Sequence, residues 1–186
     1  MNIYIHPNAI VDTKEIGDGS RVWAFVHILE GVKIGRNANI CDHCFIENGV
    51  KVGDNVTIKC GVWLWDGVLV GDDVFIGPSV VFTNDLHPRS KNIGYKKMTT
   101  ILGNGCSIGA NSTVLAGVEI GKYAMIGAGS LITKNVGDYE LVYGNPAKNK
   151  GYVCKCGAKL LFNNNLCKCE CGAKYSISGS IVTSID

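Results

Sequence analysis

The stretch VFTNDLHPRS, Val81 to Ser90, puts an amide, a carboxylate, an imidazole and a guanidinium within a few residues of one another. Asp85 is an acceptor that can orient an N–H group and take up its proton. Asn84 can donate or accept without a change of charge. His87 here, and His27 further upstream, carry the side chain that titrates nearest neutrality. Arg89 offers a planar fork suited to a phosphate or carboxylate. The plainer alternatives are a tolerated insertion, since loop length costs little, and a solvated surface arginine.

A second group is made of sulfur. CKCGAKL (Cys154 to Leu160) recurs as CECGAKY (Cys169 to Tyr175), around LLFNNNL. Two cysteine pairs on adjacent hairpin knuckles can meet as a tetrahedral thiolate site, which zinc favours. Cys154, Cys156, Cys169 and Cys171 are the expected ligands. The C-x-C spacing is tighter than the commoner C-x-x-C, so Cys167 is the substitute should one ligand be exchanged. Free thiols are the alternative. So short a segment buries little core, and a metal would supply its folding energy and act structurally.

These groups need a scaffold, and the scaffold is periodic. From Ile10 a step of six meets Ile16, Val22, Ile28, Ile34, Ile40, Ile46, Val52, Ile58, Leu64, Val70, Ile76 and Phe82. The step resumes in a shifted phase at Leu102 and runs through Ile108, Val114, Ile120, Ile126 and Ile132. A helix would show spacings of three and four, and a plain strand a spacing of two. Six fits a short strand and a turn, and Gly or Asn/Asp follows many of the stops. Small or β-branched residues two positions earlier, such as Ala38, Cys44 and Val50, suit a narrow stacked interior. Three hexads make one triangular coil, and the coils stack into a parallel β-helix. The chain leaves the coil over 84–101. An excursion of that length in a solenoid is uncommon unless it is functional.

The 186 residues divide into a β-helix over 1–150 and a cysteine-rich tail over 151–186. Charge is nearly balanced, at +2, so no polyanionic partner is implied, and the tail lacks the interleaved aromatics of a nucleic-acid ribbon. MNIYIHPNAI has neither a basic n-region nor an apolar h-region, and no apolar run is long enough to span a bilayer. Nine cysteines fit a reducing compartment better than a disulfide framework. A cytoplasmic protein is expected, with no membrane span and no nucleic acid. Trp63 and Trp65 flank the stop Leu64 and should point outward, which is natural at an interface between copies.

The hexads, followed by ITKNVGDYELVYGNPAK (Ile132 to Lys148), resemble the left-handed β-helix acyltransferases that use acyl-CoA. IHPNAIVD, RVWAFVHI and GPSVVFTNDLHPRS resemble, more narrowly, the N-acetyltransferases of nucleotide-linked amino sugars for bacterial surface glycans. The resemblance implies an all-β, left-handed parallel β-helix of hexapeptide repeats, here with a loop excursion and a zinc-ribbon-like appendage. It implies a homotrimer with the substrate between subunits. The Asn-Asp pair is nearer the branch that acetylates the 3-amino group of a dTDP-3-amino-3,6-dideoxyhexose. The other branch takes UDP-2-acetamido-3-amino-glucuronate. An acceptor such as serine, or a non-enzymatic trimerising scaffold, are rivals. The histidines do not show the arrangement of the zinc-dependent γ-class carbonic anhydrases.

The implied reaction is attack of a sugar amine on the thioester carbonyl of acetyl-CoA. Asp85, Asn84 and His27 are the expected catalytic residues, with Arg89 and His87 on the sugar nucleotide and Trp23 on the sugar nucleotide or the neighbouring subunit. Ala110 and Ala128, small residues at matching corners, are expected along the pantetheine arm, with Lys148 and Lys134 near the CoA phosphates.

Overall fold

The computed structural model describes residues 2–91 and 93–185, and every regular element assigned among them is a β-strand. Most strands are two residues long and lie on three parallel ladders. The first face runs from Tyr4–Ile5 through Arg21–Val22, Asn39–Ile40, Thr57–Ile58, Phe75–Ile76, Ser107–Ile108 and Met125–Ile126 to Glu140–Gly144. The second runs from Ile10–Val11 through His27–Ile28, Phe45–Ile46, Trp63–Leu64, Val81–Phe82 and Thr113–Val114 to Leu131–Ile132. The third joins Lys33–Ile34, Lys51–Val52, Val68–Val70, Thr100–Leu102 and Glu119–Ile120. Bridges from Ile16 to Ile34 and from Ile120 to Val136 extend it at both ends.

One coil advances the chain by 18 residues, as in the bonds from the Arg36 N–H to Asp54 Oδ1 and from the Asp54 N–H to Asp72 Oδ1. Each inward side chain therefore sits directly on its equivalent one coil away. Ile40, Ile58, Ile76 and Ile108 form one such column, and all are fully buried. Truncating any of them to Ala would open a cavity at a cost of about 2–5 kcal/mol. The second inward set, Ala38, Val56 and Val74 among them, is equally buried. Its small or β-branched side chains fit where three walls converge.

The first coil departs from the expected phase. Ile10 faces His27, while Val11 faces Ile28. Val11 is thus the inward residue, and Ile10 is 58% exposed. That coil is one residue short, so a fixed step of six counted back from Val22 lands on the wrong side of the strand.

The excursion leaves after Val81–Phe82, and the third face resumes at Thr100, where Val68 pairs with Thr100 and Val70 with Leu102. Thr100 and Ile101 therefore belong to the ladder. Across this coil the corner bond from Asp72 N–H reaches Asn104 Oδ1 with a separation of 32 residues instead of 18. The extra chain is extruded at one corner, and the solenoid closes behind it.

After Glu140–Gly144 the chain reverses into Ala147–Val153 and pairs antiparallel with it. Ala147 packs against the solenoid core at its open end. Lys159–Leu160 adds to this hairpin, and Leu166–Lys168, Lys174–Ser178 and Ile181–Ser184 form a separate antiparallel sheet. The tail has its own small core around Tyr175, Leu160 and Val182, against which Tyr139 packs.

Candidate functional site

The excursion is pinned at its roots. Thr83 Oγ1 accepts from the Ala116 N–H at 2.9 Å, and Thr100 Oγ1 accepts from the Gly117 N–H at 3.1 Å. On the returning leg, the Lys97 ammonium lies 3.3 Å from Asp66, whose backbone N–H donates to Glu47 Oε2 at 2.7 Å. Gly67 has φ +95, and a Cβ there would lie 2.6 Å from the Met98 carbonyl oxygen. Only glycine allows both the backbone angle and the close passage of the returning strand.

Between the roots the loop carries a shallow, open hollow of about 560 Å³ lined by Asn84, Asp85, Pro88, Arg89, Ser90, Lys91 and Tyr95. Asp85 Oδ1 accepts the His87 backbone N–H at 2.8 Å, a local turn that fixes the carboxylate. Arg89 Nη1 donates to the Pro88 carbonyl at 2.8 Å. Asn84, Asp85 and Arg89 therefore share one hollow, as their spacing suggested. His87 supplies its backbone to the turn, and its side chain is exposed and outside the lining. Lys91 and Tyr95 line the hollow but were not singled out in the sequence. A second cation and a phenol in the same loop were the available signal.

His27 lies elsewhere on the second face. Its Nε2 is 3.5 Å from Asp12 Oδ2, and its ring meets Phe45 edge-on at 5.7 Å. Three strand spacings separate it from Val81, roughly 14 Å. It does not join Asn84 and Asp85 within one chain. It belongs instead to an aromatic hollow of about 450 Å³ with Phe25, His43, Cys44, Phe45, Trp63 and Trp65. Phe25 and His43 stack at 5.0 Å, and Trp63 meets Trp65 edge-on at 5.8 Å. Trp63 points outward and is 54% exposed, whereas Trp65 is half-buried and its indole N–H is bonded to the Phe82 carbonyl. The outward positions Ile10, His27, Phe45, Trp63, Val81, Thr113 and Leu131 stack as a largely apolar column. On the third face the outward positions are Lys33, Lys51, Leu69, Ile101 and Glu119, a mixed column with charge at both ends. Trp23 sits at another corner, its indole N–H donating to Asn39 Oδ1 at 2.8 Å and its ring 5.4 Å from Tyr4. It is far from the excursion along the solenoid.

Ala110 and Ala128 lie one above the other at a single corner. The Gly129 N–H donates to the Ala110 carbonyl at 2.8 Å, and a Cβ on Gly109 would come within 2.5 Å of Ala128 N. This stacked corner leaves the backbone approachable. Tyr143 lies over Gly127, and Lys148 faces Tyr143 across the hairpin, which puts Lys148 at the same end. Lys134 lines a different hollow, of about 210 Å³, with Asn135, Glu140 and Asn149.

In the tail the four sulfurs of Cys154, Cys156, Cys169 and Cys171 lie within 4.8 Å of one another. Cys154 to Cys171 is 3.5 Å and Cys156 to Cys169 is 3.6 Å. The two knuckles are built alike. The Cys154 N–H donates to the Ala158 carbonyl, and the Cys169 N–H donates to the Ala173 carbonyl, each at 2.8 Å. Burial alone would raise the Cys154 thiol, but the Cys156 N–H and the Tyr175 hydroxyl outweigh it and bring it down to about 6. Cys167 sits opposite Tyr175 on its strand and is not one of the four. The tighter spacing thus closes the set without it.

Residues 13–48 and 99–134 match the family model described as bacterial transferase hexapeptide (six repeats). The chain is 56% identical over 182 residues to the dTDP-3-amino-3,6-dideoxy-α-D-galactopyranose 3-N-acetyltransferase of Aneurinibacillus thermoaerophilus, covering 98% of this chain and 95% of that protein. Among solved structures it resembles a mutant of AntD, an N-acyltransferase from Bacillus cereus, in complex with dTDP-4-amino-4,6-dideoxyglucose and coenzyme A. There the TM-score is 0.65 at 22% identity, over 74% of this chain and 82% of that one. It also resembles the acetyltransferase domain of PglB from Neisseria gonorrhoeae in complex with acetyl coenzyme A, with TM-score 0.54 at 20% identity, over 79% and 57% of the two chains.

Proposed function

The chain belongs to the bacterial transferase hexapeptide family of acetyltransferases, and on that premise we propose that it moves an acetyl group from acetyl-CoA to the 3-amino group of a dTDP-3-amino-3,6-dideoxyhexose. The carrying observation is the near-full-length identity to an enzyme with that acceptor. The excursion hollow, holding Asn84, Asp85 and Arg89 together, supports it. The product would feed the assembly of a surface glycan.

A neutral sugar amine attacks the thioester carbonyl. The new C–N bond forms, the C–S bond breaks, and the proton lost by nitrogen ends on the departing thiolate. Asp85 accepts a hydrogen bond from the amine, aligns it and relays that proton. Asn84 holds a sugar hydroxyl, and Arg89 with Lys91 faces the diphosphate. Ala110 and Ala128 offer backbone groups to the pantetheine arm, with Lys148 at the phosphates. Lys134, in its own hollow, is the more distant candidate.

The aromatic column on the second face supports a homotrimer, since a continuous run of outward aromatic and apolar side chains calls for cover. In that assembly His27 and the aromatic hollow of one copy face the excursion of another, and His27 enters the site from the neighbouring subunit. The free thiols fit a reducing compartment, the cytoplasm.

The four-cysteine cluster fits zinc. A tetrahedron with metal–sulfur bonds of about 2.3 Å has edges of about 3.8 Å, close to the sulfur separations in the tail. Four protein ligands leave no position for a reactant, so the ion is structural.

The test is an acyl-transfer assay with acetyl-CoA against a panel of dTDP- and UDP-linked amino sugars. Preferred turnover of the dTDP-3-amino sugar is expected. Preference for UDP-2-acetamido-3-amino-glucuronate, or no transfer to any member, would overturn the reading.

A further inference from the structure

The tail does not hang free of the solenoid. Tyr175 is fully buried. Its hydroxyl oxygen accepts the Lys155 N–H at 3.2 Å and lies 3.1 Å from Cys154 Sγ. With the Lys155 N–H on its oxygen, the hydroxyl is placed to donate to a thiolate at Cys154. The Tyr175 ring meets Tyr139 edge-on at 5.4 Å, and Tyr139 stacks on Tyr123 at 5.4 Å and 17°. Tyr123 and Tyr139 occupy the corners of successive coils.

Those corners carry an unusual residue type. Tyr123 and Tyr139 have φ of 57° and 61°, where Asn and Asp are the usual non-glycine residues. Earlier coils obey that preference, with Asn37, Asn55 and Asp73 at the same corner linked by side-chain hydrogen bonds. A Cβ at Gly105, on the next coil, would sit 2.4 Å from the Tyr123 ring, so the ring rests on the space that glycine leaves at that corner. The amide ladder thus changes into an aromatic one where the cysteine knuckles dock. Two backbone bonds follow the same path, from Tyr139 N–H to the Lys122 carbonyl and from Val153 N–H to the Tyr139 carbonyl, each at 2.8 Å.

We infer that Tyr175 joins the four-sulfur site to the solenoid, its hydroxyl holding Cys154 for the metal and its ring seating the tail on Tyr139. An ion on the four sulfurs then clamps the tail to the last coils. This rests on the zinc reading given above. Outer-sphere partners of this kind orient a ligand, and losing one typically costs about ten- to a hundredfold in metal affinity.

The experiment uses the purified full chain. Metal content per chain is measured first. Zinc affinity is then compared for wild type and Tyr175→Phe by competition with a chromophoric chelator. Backbone amide exchange at Tyr139 and Val153 is followed with zinc present and after its removal. One ion per chain, a ten- to hundredfold weaker affinity in Tyr175→Phe, and faster exchange at both amides on removal are expected. Tyr175→Phe keeps the ring, so its fold should survive. Zinc bound with unchanged affinity in that variant, or exchange indifferent to zinc removal, would overturn the clamp while leaving the zinc reading intact. A chain that binds no zinc would overturn both.

Discussion

The Trp65 indole N–H donates to the Phe82 carbonyl oxygen at 2.8 Å, so a side chain from one coil holds the last strand residue before the excursion of the next. Trp65 lines the aromatic hollow, and Phe82 precedes Asn84 of the loop hollow by two residues. Trp65→Phe keeps most of the ring packing and strands the carbonyl. A loss of about 1–2 kcal/mol in urea unfolding is expected, with a raised KM for the sugar nucleotide and unchanged CoA affinity. An unaltered KM would detach the loop from this contact.

Asp85→Asn separates charge from shape, because the amide oxygen can still accept the His87 N–H that builds the local turn. A fall in kcat of about a hundredfold or more is expected, with CoA binding by calorimetry intact. Wild-type turnover would remove Asp85 from the chemistry.

Gly67→Ala puts a Cβ against the Met98 carbonyl at a φ that L-residues rarely adopt. About 1–3 kcal/mol of destabilisation is expected. Binding of the sugar nucleotide should weaken along with it, since the displaced segment is the returning leg of the loop. Thermal melts with and without each substrate would separate the two effects.

Trp63→Glu sets a charge in the apolar column of the second face. Multi-angle light scattering should show trimers giving way to monomers, with activity lost in parallel. Full-speed acyl transfer by the monomer would show that the site needs no neighbouring copy.

The buried thiols set the alkaline limit. Burial pushes Cys44 and Cys106 up to about 12 from 9.0. Below pH 9 the folded and unfolded chains bind these protons alike, and the contribution is whole. As pH rises from 9 toward 12 the unfolded chain releases them first, so stability falls, by up to about 4 kcal/mol per thiol. Urea midpoints between pH 8 and 10.5 should fall with pH, and Cys106→Ala should flatten the slope.

The periodic stops made the solenoid legible, because an inward residue every sixth position is a demand of the narrow interior itself. Ile10 was misplaced since one short coil shifts the phase, and periodicity carries no mark of where a coil loses a residue. Asn84, Asp85 and Arg89 could be read as a group because one loop holds them. The aromatic hollow was harder. His27, Phe45 and Trp63 recur at the coil step and could have been found by reading the outward positions in columns. Trp23 stands out through its motif, and within its own chain its corner meets Tyr4 and Asn39. The cysteine pairs repeat a short pattern and were plain. Tyr175 was not, because its partners Cys154 and Tyr139 come from distant turns of the chain.

Val70 and Leu102 pair as though nothing lay between them. The loop is therefore a detachable segment: its sequence can be rewritten while the ladder on either side keeps its register and its buried contacts.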